Sequence, residues 1–239
     1  IIHSIGGTLL QHVKEHFFHT DLKESDRIFY FTTCGWMMWN WLVSSLFNKA
    51  TIVLYDGSPF YPNSKRIWGL VDKYQINIFG TSAKFLDACA KEKIDLKINF
   101  KLNSLRTILS TGSPLANASF DFVYENVKSN VRLSSISGGT DIISCFASGL
   151  AVKPVWRGEI QSLAIGMKVR VFDENGKEII GEKGELVCIE SFPSMPIGFW
   201  NDDNGQKYFN AYFKKFSNVW THGDYSEITK NKGMVIYGR

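Results

Sequence analysis

The chain has 239 residues, 44% hydrophobic and 14% aromatic, enough to bury a sizeable core in one large domain or two closely packed subdomains, which excludes a disordered segment. Its 27 basic and 23 acidic residues give a net charge of +4 and are spread throughout, so no basic stripe with interleaved aromatics points to nucleic acid. No apolar run reaches the ~18 residues of a membrane span, and Cys34, Cys89, Cys145 and Cys188 form no C-x-x-C, so neither zinc nor a disulfide framework is suggested and a soluble protein of the reducing cytoplasm is expected.

Ile5, Leu9, Val13 and Phe17 recur every four residues, with Leu10 beside them, which predicts a helix whose apolar face lies in the core. His12, His16 and His19 accompany it without a carboxylate or cysteine pattern to complete a metal set, and are expected at the surface. Arg27 to Thr32 reads as a strand, Thr33-Cys34-Gly35-Trp36 as a loop, and Trp36, Met37, Met38, Trp39 and Trp41 as the start of a helix running to about Phe47. Most of that cluster should be core, with one or two members at the loop end free to wall a pocket.

Thr51 to Tyr55 reads as a buried strand closed by the turn Asp56-Gly57-Ser58-Pro59. Ser64 is placed to cap a helix carrying Ile67, Trp68, Val71 and Tyr74, and Ser82 one carrying Phe85, Leu86 and Cys89, with a strand at Ile76 to Phe79 between them. Leu105 to Leu109 is again a strand, ending in Ser110-Thr111-Gly112-Ser113-Pro114; a helix with Phe120, Val123 and Val127 leads to the strand Val131 to Ile136 and then Ser137-Gly138-Gly139-Thr140-Asp141. This alternation predicts an α/β fold, a parallel sheet covered by helices, with both glycine-rich turns on one edge. Taken singly, such a turn reads first as an ordinary strand exit, with part of a ligand crevice as the alternative.

After Pro154 the pattern changes to short alternating strands at Lys168 to Phe172 and Glu185 to Glu190, a hairpin signal at Asp173-Glu174-Asn175-Gly176, and a helix from about Asp203. Val219 to Asp224 ends in a carboxylate, Tyr225 to Thr229 reads as a strand, and Lys230 to Gly233 turns into Met234 to Tyr237. We therefore expect an α/β subdomain over residues 1–154 and a smaller antiparallel β subdomain over 155–239. The chain starts without methionine at Ile1-Ile2 and stops at Gly238-Arg239 directly after an apolar run, which predicts a fragment of a longer protein.

Ser110-Thr111-Gly112-Ser113-Pro114, Ser137-Gly138-Gly139-Thr140-Asp141, Trp220-Thr221-His222-Gly223-Asp224 and Gly238-Arg239 together resemble, in order and approximate spacing, the adenylate-forming superfamily of acyl-CoA synthetases. The resemblance implies an AMP-forming acid–thiol ligase using ATP, Mg2+ and coenzyme A. It implies that Thr140 holds a phosphate, that Asp141 holds Mg2+ where the family usually has glutamate, and that Gly112, Ser113 and Pro114 lie against adenine. The backbone at Ser137, Gly138 and Gly139 would line the same cleft, Asp224 would accept both ribose hydroxyls, and Arg239 would contact ribose or phosphate. Trp36, Met37, Met38, Thr111 and Gly138 match the acyl-pocket positions of the acetyl-CoA synthetase branch, which carries tryptophan at the place of Gly138. A missing indole implies a longer acid, for which acetoacetate fits better than acetate, with acetate, propionate or butyrate ligation and a non-catalytic nucleotide-binding module as alternatives. The family's phosphate loop would precede Ile1 and its small C-terminal domain would follow Arg239, so the segment alone is expected to be inactive.

Overall fold

The computed structural model describes all residues, 1–239. Five strands, β1 (Arg27–Tyr30), β2 (Thr51–Val53), β3 (Ile78–Ser82), β4 (Thr107–Thr111) and β5 (Arg132–Ser135), form one sheet in the order β2-β1-β3-β4-β5, every neighbouring pair parallel. The helical connections that parallel pairing requires are α2 (Met38–Ser44), α3 (Lys65–Lys73), α4 (Ala83–Lys91) and α5 (Asn117–Phe122). One face of the sheet packs Phe29, Phe79, Ile108 and Leu133 against Trp68, Leu86 and Phe120, and the other packs Ile28, Tyr30 and Leu109 against Met38, Trp41 and Leu42. The alternating pleat sends successive residues of each strand to opposite layers.

The chain then leaves the parallel sheet through β6 (Ser137–Gly139), β7 (Ser144–Ser148) and β8 (Ser162–Leu163), an antiparallel trio in that order. A second antiparallel sheet follows, in the order β12-β11-β10-β9, from β9 (Val169–Phe172), β10 (Gly184–Cys188), β11 (Trp220–Ile228) and β12 (Met234–Gly238), with α6 (Gln206–Tyr212) packed on it. The tight turn expected at Asp173 to Gly176 is present, with Asp173 N–H donating to the Lys177 carbonyl at 2.9 Å. No helix is long and apolar enough to cross a membrane.

Several local expectations are corrected. The first helix, α1 (Ile5–Lys14), continues as a wider π-helical turn over Glu15–Thr20, and it is turned the other way round from the periodicity reading. Ile5 and Phe17 are 90% and 60% exposed, whereas Gln11, His12, Glu15, His16, His19 and Thr20 are buried. The three histidines are therefore interior residues rather than surface ones. His12 bridges the Ser44 hydroxyl (2.8 Å) and the Ile143 carbonyl (2.6 Å), His16 Nε2 meets the Trp41 carbonyl (2.8 Å), and His19 Nδ1 meets the Gly149 carbonyl (2.7 Å) while Nε2 accepts from Ile165 N–H (2.9 Å). Partners across the fold take up most of this polar face, leaving Gln11 Oε1 and His16 Nδ1 without one, and that is what lets it be buried.

Thr51 to Tyr55 is not a buried strand: only three residues pair, at the sheet edge, with Thr51 and Leu54 exposed. Ser64 stands at the start of α3 without capping it, because its hydroxyl donates to Glu92 Oε2 at 2.5 Å; Ser82 does cap α4, accepting from Phe85 N–H at 3.2 Å. Residues 220–228 form one continuous strand rather than a motif loop followed by a strand, since β10 pairs with both halves of β11 across a bulge.

Candidate functional site

The parallel sheet ends β4 and β5 side by side, and the chain leaves β4 through Gly112-Ser113 and β5 through Ile136 and then Ser137-Gly138-Gly139. Thr111 donates its hydroxyl to the Ile136 carbonyl (2.8 Å) and Ile136 N–H donates to the Ser110 carbonyl (2.8 Å), which ties the two strand exits together. Gly112 then takes φ +90°, a conformation natural only to glycine, so the chain turns and lays Ser113-Pro114 along the sheet edge; Trp36 sits over this turn, 3.6 Å from where a Gly112 Cβ would be. Beside it, β6 carries Ser137, Gly138 and Gly139 into a short helical turn, Thr140–Ile142, with Thr140 exposed and Asp141 half-buried.

Asp141 is oriented from a distance in sequence. Tyr212 on α6 donates its hydroxyl to Asp141 Oδ2 at 2.8 Å, and its ring stacks face to face on Trp220, 3.7 Å between centroids. Burial first, and then the Asp141 carboxylate, push the Tyr212 pKa well above its ordinary value, so the hydroxyl remains a donor. Asp141 Oδ1 faces Gly139, where a Cβ would come within 3.0 Å of it.

β11 supplies the opposite wall. Between Thr221 and Tyr225 it runs through more residues than its partner β10, a bulge in which Gly223 adopts φ +83° and gives its N–H to Glu185 Oε1 (2.7 Å). Bulges re-aim side chains, and here His222 and Asp224 are both buried. Asp224 Oδ1 accepts from Arg239 Nε at 2.8 Å, and Oδ2 lies 3.6 Å from His222 Nε2. Burial lowers the His222 pKa, with the Asp224 charge acting in the opposite direction, and the ring packs edge-on to Phe146.

All of these elements enclose one cavity of about 590 Å³, within the ordinary range for small-molecule sites. Trp36, Met37, Met38, Thr111, Gly112, Ser113, Pro114, Ser137, Gly138, Gly139, Thr140, Asp141, Asp224 and Arg239 all line it, so every site residue singled out from the sequence converges here. One inference drawn from them does not survive. A Cβ on Gly138 would point into β7, 2.1 Å from the Ser144 carbonyl oxygen and 2.5 Å from Cys145 Cα, so the absence of a side chain there allows strand packing instead of enlarging the pocket.

The sequence model of the AMP-binding enzyme family matches residues 1–194. The chain belongs to the AMP-binding enzyme family. It is 56% identical over 239 residues to the acetoacetyl-coenzyme A synthetase of Rhizobium meliloti (strain 1021), covering 100% of this chain and 37% of that protein. It is 50% identical over 240 residues to the acetoacetyl-CoA synthetase of Gallus gallus, again covering 100% of this chain and 36% of the relative. A solved structure of acetoacetyl-CoA synthetase from Streptomyces lividans superposes with a TM-score of 0.94 at 40% identity, covering 99% of this chain and 37% of that one. The chain thus spans little more than a third of the length of the curated relatives it matches.

Four residues of the chain that bear on the site are not marked by the sequence reading. Tyr212 lies 71 positions from the carboxylate it holds, with nothing local to link them. His222 lies inside the Trp220 to Asp224 motif, whose resemblance implies a role only for Asp224. Glu15 and His19 line the cavity from a helix face expected to be exposed; the available signal was the run of hydrogen-bonding side chains at Gln11, His12, Glu15, His16 and His19, which keeps helical spacing as faithfully as the apolar run does.

Proposed function

We propose that the protein to which this chain contributes is an AMP-forming ligase that joins acetoacetate to coenzyme A. The observation that carries this reading is identity of 50% or more across the whole chain to acetoacetyl-CoA synthetases of a bacterium and of a vertebrate, and the residues gathered around the cavity are chemically suited to it. The acid's carboxylate attacks the α-phosphate of ATP, pyrophosphate leaves, and the thiol of coenzyme A displaces AMP from the acyl-adenylate.

In this reading the Gly112-Ser113-Pro114 turn and the backbone of Ser137, Gly138 and Gly139 receive the adenosine. Asp224 Oδ2, not engaged by Arg239, is an acceptor for ribose hydroxyls, and Arg239 offers its guanidinium to the ribose or phosphate side. Thr140, exposed at the cavity wall, offers a hydroxyl to a phosphate. A single carboxylate suits Mg2+, which keeps several waters and takes its remaining ligands from substrate phosphates; Asp141, with Oδ2 fixed by Tyr212 and Oδ1 beside Gly139, would hold it. Bound there, the ion would neutralise charge on the phosphates. Trp36, Met37, Met38 and Thr111 wall the acyl end. Division of the chain near residue 154 into α/β and β-rich subdomains belongs to the same proposal.

The test is acid- and CoA-dependent AMP formation from ATP by the full-length protein, with acetoacetate, acetate, propionate and butyrate compared side by side. Preference for acetoacetate is expected. Preference for another acid would discard the substrate, and nucleotide binding without turnover would discard the ligase in favour of a binding module.

A further inference from the structure

The cavity holds one buried carboxylate to which the chemistry above gives no task. Glu15 opens the π-helical turn after α1, lines the cavity and is 3% exposed. Its two oxygens are bound to opposite walls. Oε2 accepts from Trp41 Nε1 at 2.9 Å, on the helix that also carries Met38; Oε1 accepts from Gln11 Nε2 at 3.0 Å, from the Ser144 hydroxyl and, at 3.4 Å, from the backbone N–H of Cys145. Ser144 and Cys145 belong to β7, the strand that presses on Gly138.

A carboxylate is retained in an interior only when donors replace its water. That condition is met here: burial pushes the Glu15 pKa up, but Lys14, His12, Ser144 and Gln11 outweigh it and hold the group below its ordinary value, hence ionised. Lys14 Nζ lies 3.8 Å from Oε1 but does not line the cavity, so the charge presented to whatever enters beside Trp41 and Cys145 is the carboxylate's. Resting on the ligase reading, we propose that Glu15 determines which acid is accepted: through Trp41 and Ser144 it sets the spacing of the α2 and β7 walls, and its charge bars acids bearing a second carboxylate. Acetoacetate and malonate show the consequence. They have similar length and differ at the far end, a methyl ketone against a carboxylate, so shape separates them poorly and charge separates them well.

The experiment uses the full-length protein as wild type, Glu15→Gln and Trp41→Phe, the last keeping an aromatic ring while deleting the N–H donor. Michaelis constants for acid and for ATP are measured separately by AMP formation, with acetoacetate and with malonate. The wild type should use acetoacetate and not malonate. Glu15→Gln should raise the acetoacetate KM by about tenfold, leave the ATP KM within about twofold, and narrow the acetoacetate-to-malonate ratio of kcat/KM by about tenfold or more. Trp41→Phe should raise the acetoacetate KM without admitting malonate, because the charge remains. An unchanged acid KM and ratio in Glu15→Gln, or an equal rise in the KM for both substrates, overturns the inference alone. If Glu15→Gln does not accumulate folded, an unchanged acetoacetate KM in Trp41→Phe overturns it. A wild type without acid-dependent AMP formation refutes the ligase reading, and this inference with it.

Discussion

Replacing Gly138 by alanine tests how the site is built, because the added methyl would meet only backbone. Its Cβ would lie 2.1 Å from the Ser144 carbonyl oxygen and 2.5 Å from Cys145 Cα, neither of which can rotate away. Restoring an ordinary contact requires β6 and β7 to part by about 1.3 Å. Overpacking of this kind costs about 1–3 kcal/mol, and weakening one or two strand hydrogen bonds adds roughly 1 kcal/mol each. We expect a loss of about 3 kcal/mol, equivalent to a fall in Tm of roughly 6–12 °C for a chain of this size. Thermal unfolding followed by circular dichroism, with urea unfolding as a second measure, reads it directly. A change below about 0.5 kcal/mol would refute the reasoning: β6 and β7 would then be loosely apposed, and a larger side chain at 138 could enter the pocket after all.

Neighbouring glycines in α1 should respond in opposite directions. Gly6 has nothing within 4 Å of a built Cβ, so Gly6→Ala should stabilise the protein by about 0.5–1 kcal/mol, whereas Gly7→Ala, 2.0 Å from the Pro193 carbonyl, should destabilise it; shifts of the same sign would argue against this helix packing. His16, fully buried, has its pKa lowered by burial from 6.5 to about 4, against the Trp41 carbonyl acting to raise it. The folded state then binds fewer protons than the unfolded one, so this contribution, ~3 kcal/mol, is complete above pH 6.5 and is lost as the pH falls towards 4. Urea unfolding across that window should show a shallower pH dependence in His16→Gln, and an unchanged slope would contradict the burial argument. In the full-length protein, if it is the proposed Mg2+-dependent ligase, Tyr212→Phe removes the donor to Asp141 Oδ2 and should raise the Mg2+ concentration for half-maximal AMP formation by roughly tenfold, with the circular dichroism spectrum unaltered; an unchanged Mg2+ requirement would count against Asp141 as a ligand of the metal.

What the amino-acid sequence determined by itself was the frame. Strands alternating with helices allow a parallel sheet, and the small residues Gly112-Ser113 after β4 and Ser137-Gly138-Gly139 just past β5 mark the edge where backbone can approach a ligand; both are local properties of composition and spacing. That is why Thr111, Gly112, Gly138 and Asp141 could be named before their meeting place was known. The tertiary structure alone decided which face of α1 is inside. Amphipathic spacing reports that a helix has two unlike faces, and the apolar one is buried only when nothing satisfies the polar one. Here Ser44, Trp41, Ile143, Ser144 and Gly149, drawn from distant parts of the chain, complete hydrogen bonds to Gln11, His12, Glu15, His16 and His19. Their partners lie 25 to 133 positions away, so no local pattern could disclose that a row of titratable side chains forms part of the interior. The direction of the missing Cβ at Gly138 was equally out of reach, since it depends on where β7 lies.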